Sequence, residues 1–154
     1  MNVGTQVQIL GQERINAMLR EMDNIDANKA VKAGIRKGVN LLRRGGIRRL
    51  QERMKSPSGV TGNLLKAFQV RVKKNKLGGL AGFGMIADTQ GGKIRAMHAF
   101  IVDAGTGDRS SGKGYRGKMP ALKYWTDTRN EDMDSAYDCV LKGVEDAMLK
   151  IMTK

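Results

Sequence analysis

The stretch Ala27–Met54 constrains the fold more than any other part of the chain. Val31, Ile35, Val39, Leu42, Leu50 and Met54 recur mostly at three- or four-residue steps. That is the spacing of one face of an α-helix. Lys29, Lys32, Arg36, Lys37, Arg43, Arg44, Arg48, Arg49 and Arg53 fill the remaining faces. Asn24 or Asp26 is placed to cap the start, and Ser56-Pro57 must end the helix, because proline cannot continue it. Gly45-Gly46 lies mid-stretch, where each glycine costs about 1 kcal/mol relative to alanine. A kink, or the close approach of another backbone, is expected at that pair. The stretch therefore predicts one long, basic central helix.

Charge narrows the partners. The net charge is +13, and residues 27–76 carry fifteen basic side chains against one acidic one. The flanking segments are nearly balanced, with two basic and four acidic residues before and eleven and ten after. A field this lopsided attracts polyanions or an acidic protein face. No stretch approaches the roughly 18 continuous apolar residues of a membrane span, so no membrane association is expected. The opening MNVGTQVQIL lacks the charged-then-apolar pattern of a secretion signal. Cys139 is the sole cysteine, which rules out an internal disulfide and fits synthesis in a reducing cytoplasm. The length suits a single domain over residues 1–154.

Along the chain, Val3, Thr5, Val7 and Ile9 alternate as in a strand. Ile15, Met18, Leu19 and Met22 mark a short amphipathic helix. After the central helix, Thr61-Gly62-Asn63 opens a brief helical turn through Leu64-Leu65. Phe68, Val70 and Val72 alternate with Gln69, Arg71 and Lys73, and Leu80–Ala87 pairs back as a glycine-rich hairpin partner. Met97–Val102, apolar on both faces, predicts a buried strand. Ala104–Lys118, with five glycines, reads as a long loop. Thr128-x-x-Glu131 resembles a capping box for a final helix, whose apolar stripe runs from Met133 to Met152. Asp138, Glu145 and Asp146 give that helix an acidic face, set against the basic one.

Catalytic constellations are weak. Gly107–Gly114 nearly spells a phosphate-binding loop. However, Gly114 stands where a magnesium-binding hydroxyl is needed, and Tyr115–Pro120 cannot open the helix that would hold the phosphates. A basic loop bearing Arg109, Lys113, Tyr115, Arg116 and Lys118 accounts better for that stretch. His98 is the only histidine and has no cysteine nearby, so no metal site, cofactor or nucleophile–base pair is expected; a packed or interface histidine is. The carboxylates of residues 127–146 read as helix dressing. Aromatic residues do not interleave with the basic ones, so nucleic acid would be gripped by its backbone alone.

The order of landmarks is informative: Pro57-Ser-Gly-Val-Thr61-Gly62-Asn-Leu64-Leu65, then His98-Ala-Phe-Ile-Val-Asp103-Ala-Gly105-Thr106, then Pro120-Ala-Leu122. With the elements around them, these resemble the tail-completion or head–tail joining (neck) proteins of long-tailed bacteriophages and prophages. Asp103 stands where that family often has Glu, and Met119-Pro120-Ala121-Leu122 where it usually has Phe-Leu-Arg-Pro. The resemblance implies an α+β fold, with an antiparallel β-sheet packed against a long central helix and a C-terminal helix. It implies a non-enzymatic virion protein, made in the bacterial cytoplasm, that forms a ring. Its partners would be other virion proteins, such as the tail tube and head–tail connector. The interface candidates are Arg36, Lys37, Arg43, Arg44, Arg48, Arg49, Arg109, Lys113, Tyr115 and Arg116. The alternative is a non-specific nucleic-acid-binding protein using the same residues.

Overall fold

A computed structural model describes residues 12–54, 64–65, 67–83, 98–112 and 114–153 of the 154-residue chain. In order, its elements are α1 (Gln12–Glu21), α2 (Asn24–Arg53), β1 (Phe68–Val72), β2 (Gly79–Phe83) and α3 (Ala99–Ala104). They continue with β3 (Arg109–Ser111), β4 (Gly114–Gly117), α4 (Tyr124–Glu131) and α5 (Met133–Met152). The fold is α+β. The long helix α2 packs against the C-terminal helix α5 and against an antiparallel β1–β2 sheet. The strand predicted at Val3–Ile9 and the Ser56-Pro57 stop lie outside the described residues.

At 1.5 Å per residue, α2 is a spine about 45 Å long. It and α5 run antiparallel, and glycine sets how closely they approach. A Cβ on Gly34 would stand 2.5 Å from the Val140 carbonyl oxygen, and one on Gly38 would stand 2.8 Å from that of Ala136. Gly143 meets them from α5, where a Cβ would lie 2.9 Å from the Gly34 Cα. Backbone approaches backbone there, with the Val140 and Val144 side chains packed against the same glycines. Gly45-Gly46 works differently. Helix α2 continues through the pair, and added Cβ atoms would collide with the Asp132 carboxylate and the Phe68 ring. The pair makes room for side chains.

Two apolar clusters flank this glycine contact. Near the start of α2, Ile15 of α1 packs with Ala30, Val144 and Met148, as the Ile15/Met18/Leu19/Met22 pattern predicts. Near its end, Leu50, Leu64, Ala99 and Tyr124 are buried together. Above them Phe68 and Phe83, directly opposed in the β1–β2 register, stack at 3.8 Å between ring centroids, with Trp125 edge-on to Phe68 at 5.1 Å. Gly79 lets the hairpin settle on α2, since a Cβ there would stand 2.6 Å from Val39. No helix among the described residues is long and apolar enough to cross a membrane.

Four local expectations are corrected. Residues 99–104 form a helix, not a buried strand, and Phe100 is 68% exposed. Short runs apolar on both faces do not separate the two structures, and here Ala99 and Asp103 are buried one turn apart. Segment 104–118 is not a structureless loop, because β3 and β4 pair as a hairpin arm. Thr128 does not cap the last helix. It is fully buried inside α4, its hydroxyl donating to the Tyr124 carbonyl, and α5 begins after Asp132. Asp23 rather than Asn24 or Asp26 precedes α2, and its side chain makes no cap bond.

Replacing Gly34 by alanine should raise helix propensity yet destabilise the protein by roughly 1–3 kcal/mol, because two backbones must separate. Gly107→Ala, with nothing within 4 Å of the added atom, should leave the urea midpoint nearly unchanged. Equal midpoints for the two variants would contradict the close contact.

Candidate functional site

Helix α2 divides its cations into two sets. Arg49 and Arg53 turn inward. The Arg49 side chain is only 8% exposed; its guanidinium donates to both Asp132 oxygens at 2.5 and 2.8 Å, to Glu131 at 2.8 Å and to the Thr128 hydroxyl at 3.2 Å. Arg53 donates to Asp127 at 2.6 Å and to the Leu122 carbonyl at 2.7 Å. The acids of 127–132 are therefore not helix dressing but the clamp that holds α4 and the start of α5 to α2. Arg49 accordingly leaves the set of interface candidates. Its charged form is strengthened by Asp132 and Glu131, and the Asp132 carboxyl is held below the usual carboxylate range chiefly by its hydrogen bonds from Arg49.

The outer set remains accessible. Arg36, Lys37, Arg43, Arg44 and Arg48 are all exposed. Lys37 pairs with Asp146 at 2.7 Å, and Arg48 reaches Glu52 at 3.8 Å. Arg44 donates to the Asn40 carbonyl, 3.4 Å away. Arg36 and Arg43, two turns apart, have no acidic partner among the described residues. The β1–β2 hairpin extends this basic face. Lys32 donates to the Lys74 carbonyl at 2.6 Å, bringing exposed Lys73, Lys74 and Lys76 beside α2. The expected acidic face of α5 is partly spent within the molecule, because Arg14 takes Glu145 and Lys37 takes Asp146. Asp134 and Asp138 stay exposed.

The hairpin arm carries the second group of candidates. Arg109, Tyr115 and Arg116 are exposed on it, and Lys113 lies outside the described residues. The Tyr115 hydroxyl donates to Asp108 at 2.8 Å, a bond that raises the phenol's pKa. The arm's base is closed by two bonds: Thr106 N–H to the Met119 carbonyl, and Met119 N–H to the Thr106 hydroxyl. Gly105, at φ +75°, sits where a Cβ would lie 2.7 Å from the Ala121 nitrogen. No helix follows Gly112-Lys113-Gly114, so the near phosphate-loop spelling lacks the N-terminus it would need.

Asp103 joins arm and body. Its carboxylate accepts the Trp125 N–H at 2.7 Å, the Thr126 hydroxyl at 2.6 Å and, more weakly, the Thr126 N–H. Those amides open α4, so an acid 22 residues upstream does the capping, while Lys123 occupies the cap position in the left-handed region. Burial, then the Asp103 charge, pushes the Tyr124 phenol upward, and its hydroxyl donates to the Ala99 carbonyl at 2.8 Å. His98, expected to be packed or at an interface, is exposed at the start of α3. Among the described residues no group of three His, Cys, Asp or Glu is arranged to hold a metal. The acid-x-Gly-Thr spelling signalled Asp103. Nothing in the sequence set Arg49 apart from the other arginines of α2.

Asp132→Asn should cost about 3 kcal/mol, since it strands a buried guanidinium. The depressed carboxyl stabilises the fold fully above the unfolded value near 4, and this is lost as pH falls through the lower folded value. Acid unfolding of the variant should therefore be flatter below pH ~4, as circular dichroism would record. Asp103→Ala should lower stability by about 1–2 kcal/mol through loss of the cap, with Thr126→Ala a smaller loss by the same measurement.

No protein-family model, curated protein or solved structure matches the chain.

Proposed function

We propose that this chain is a non-enzymatic bacteriophage virion protein of the tail-completion or head–tail joining kind. It would act at the junction by assembling into a ring and docking on neighbouring virion proteins. The observation that carries the reading is the use made of the landmark residues. His98–Thr106 and Pro120–Leu122, which give the resemblance, meet in one structural joint. Asp103 caps α4, while Gly105 and Thr106 lock the base of the arm against Met119 and Ala121. Residues spent on a joint suit a building block. The joint projects an arm whose Tyr115 is 70% exposed, beside a body whose basic face holds arginines with no acidic partner among the described residues. A ring needs one face of a subunit to meet a different face of the next. The arm and the basic face are suited to such heterologous contacts, with Asp134 and Asp138 as the remaining acids on α5.

A second reading, non-specific binding to a nucleic acid backbone, is favoured by Arg36 and Arg43 having no acidic partner among the described residues. Light scattering across concentration and salt, with and without a short random DNA duplex, separates the two. Concentration-dependent assembly indifferent to duplex supports the junction role, and Arg43→Glu with Arg44→Glu should then weaken it. Assembly untouched by that double reversal would count against the basic face as its contact. A monomer that binds duplex should lose about 0.9 from its log–log salt slope for each phosphate-contacting arginine removed, which would favour the second reading.

A further inference from the structure

Along one side of the molecule, a groove of about 430 Å³ runs between β2 and α5. It is lined by Gly38, Val39 and Leu42 of α2, Trp125 and Arg129 of α4, and Met133 and Tyr137 of α5. From β2 it is lined by Gly79, Leu80 and Ala81. Three consecutive residues of a strand line one groove only along the strand's edge, since alternate side chains point to opposite faces.

Among the described residues that edge is unpaired. The Lys73 N–H donates to the Gly78 carbonyl at 2.9 Å, which makes 73 and 78 a hydrogen-bonded pair. Bonded and non-bonded pairs alternate in an antiparallel ladder. In the observed register Leu80 and Gly82 therefore bond across to β1, while the N–H and C=O groups of Gly79 and Ala81 point away from it. Among the described residues, no strand pairs with that side and no other backbone bond satisfies them. An unpaired edge with small residues beside an apolar trough is built for strand addition. Leu80 and Tyr137, 50% and 55% exposed, stand open on its two banks.

Charge selects the occupant. Arg129 lines the groove, and the hairpin presents exposed Arg71, Lys73, Lys74 and Lys76 with no acid of its own. Asp134 and Asp138 are exposed on α5, which sets the hairpin side as the one that attracts acids. We infer that the groove takes an extended, acidic segment of a partner protein as a third strand on the free edge of β2. Its backbone pairs with Gly79 and Ala81, its apolar side chains enter the trough, and its carboxylates face the hairpin lysines. This holds whichever assembly the chain serves.

Trp125, the only tryptophan, reports on the groove directly. The probe is a synthetic peptide of about ten residues, the reach of one strand, alternating Glu with Val. Added to the full chain, it should shift Trp125 emission saturably, and a Lys-for-Glu analogue should not. Methylating alternate peptide amides in one frame should weaken binding at least about tenfold by removing ladder bonds, and in the other frame should not. Ala81→Pro deletes one outward N–H at an edge, where proline is tolerated. It should also weaken binding, with unchanged circular dichroism. No Trp125 response, or equal binding by both methylated peptides, overturns the inference. So does tighter binding by a peptide copying residues 2–10, because the occupant would then be this chain's own uncharged N-terminal sequence.

Discussion

The backbone contact between α2 and α5 governs the rest of the molecule. With Gly34, Gly38 and Gly143 at the crossing, the helices approach until a Cβ at any of the three would collide with the facing helix. The long basic side chains near it must leave sideways, as Lys37 does to reach Asp146. Where α5 begins, the space widens by one carboxylate, and there Arg49 turns in to meet Asp132 beneath Gly45. Such a pair gives little net stability against an apolar substitute. Its role is geometric, because it fixes where α4 stops and α5 starts.

Charge and architecture are thus one problem. A 30-residue helix with no acid between Asp26 and Glu52 repels itself unless acids arrive from elsewhere. Asp127, Glu131, Asp132 and Asp146 do so from the C-terminal third. Together they neutralise one side of α2. What they leave over, around Arg36 and Arg43, is a face whose charge the described residues do not balance.

Periodicity revealed the long elements well: α1, α2, the β1–β2 hairpin and α5 lie where apolar spacing put them. It failed where spacing is silent. Residues 99–104 are too few to separate a period of 3.6 from one of 2. Thr128 spelled a capping box, but the chain turned four residues later, at Asp132, where the Arg49 clamp holds it. The inner arginines, too, look like the outer ones in sequence. Only the three-dimensional position of the acids distinguishes them. Among the candidate residues, Arg36, Lys37, Arg43, Arg44 and Arg48 share one helix, while Arg109, Tyr115 and Arg116 belong to a separate arm.

The Asp103 cap carries a kinetic consequence. Helix α4 has eight residues, fewer than the 12–15 or so at which isolated helices become even marginal in water. Its opening amides wait for a carboxylate 22 positions upstream, and its far end waits for Arg49, some 80 positions upstream. Both contacts are long in sequence, so their loop entropy must be met before α4 gains anything. Helix α4 therefore depends on the tertiary contacts that hold its two ends and does not form ahead of them. The arm hinges on that same joint, so loss of the cap would loosen arm and helix together.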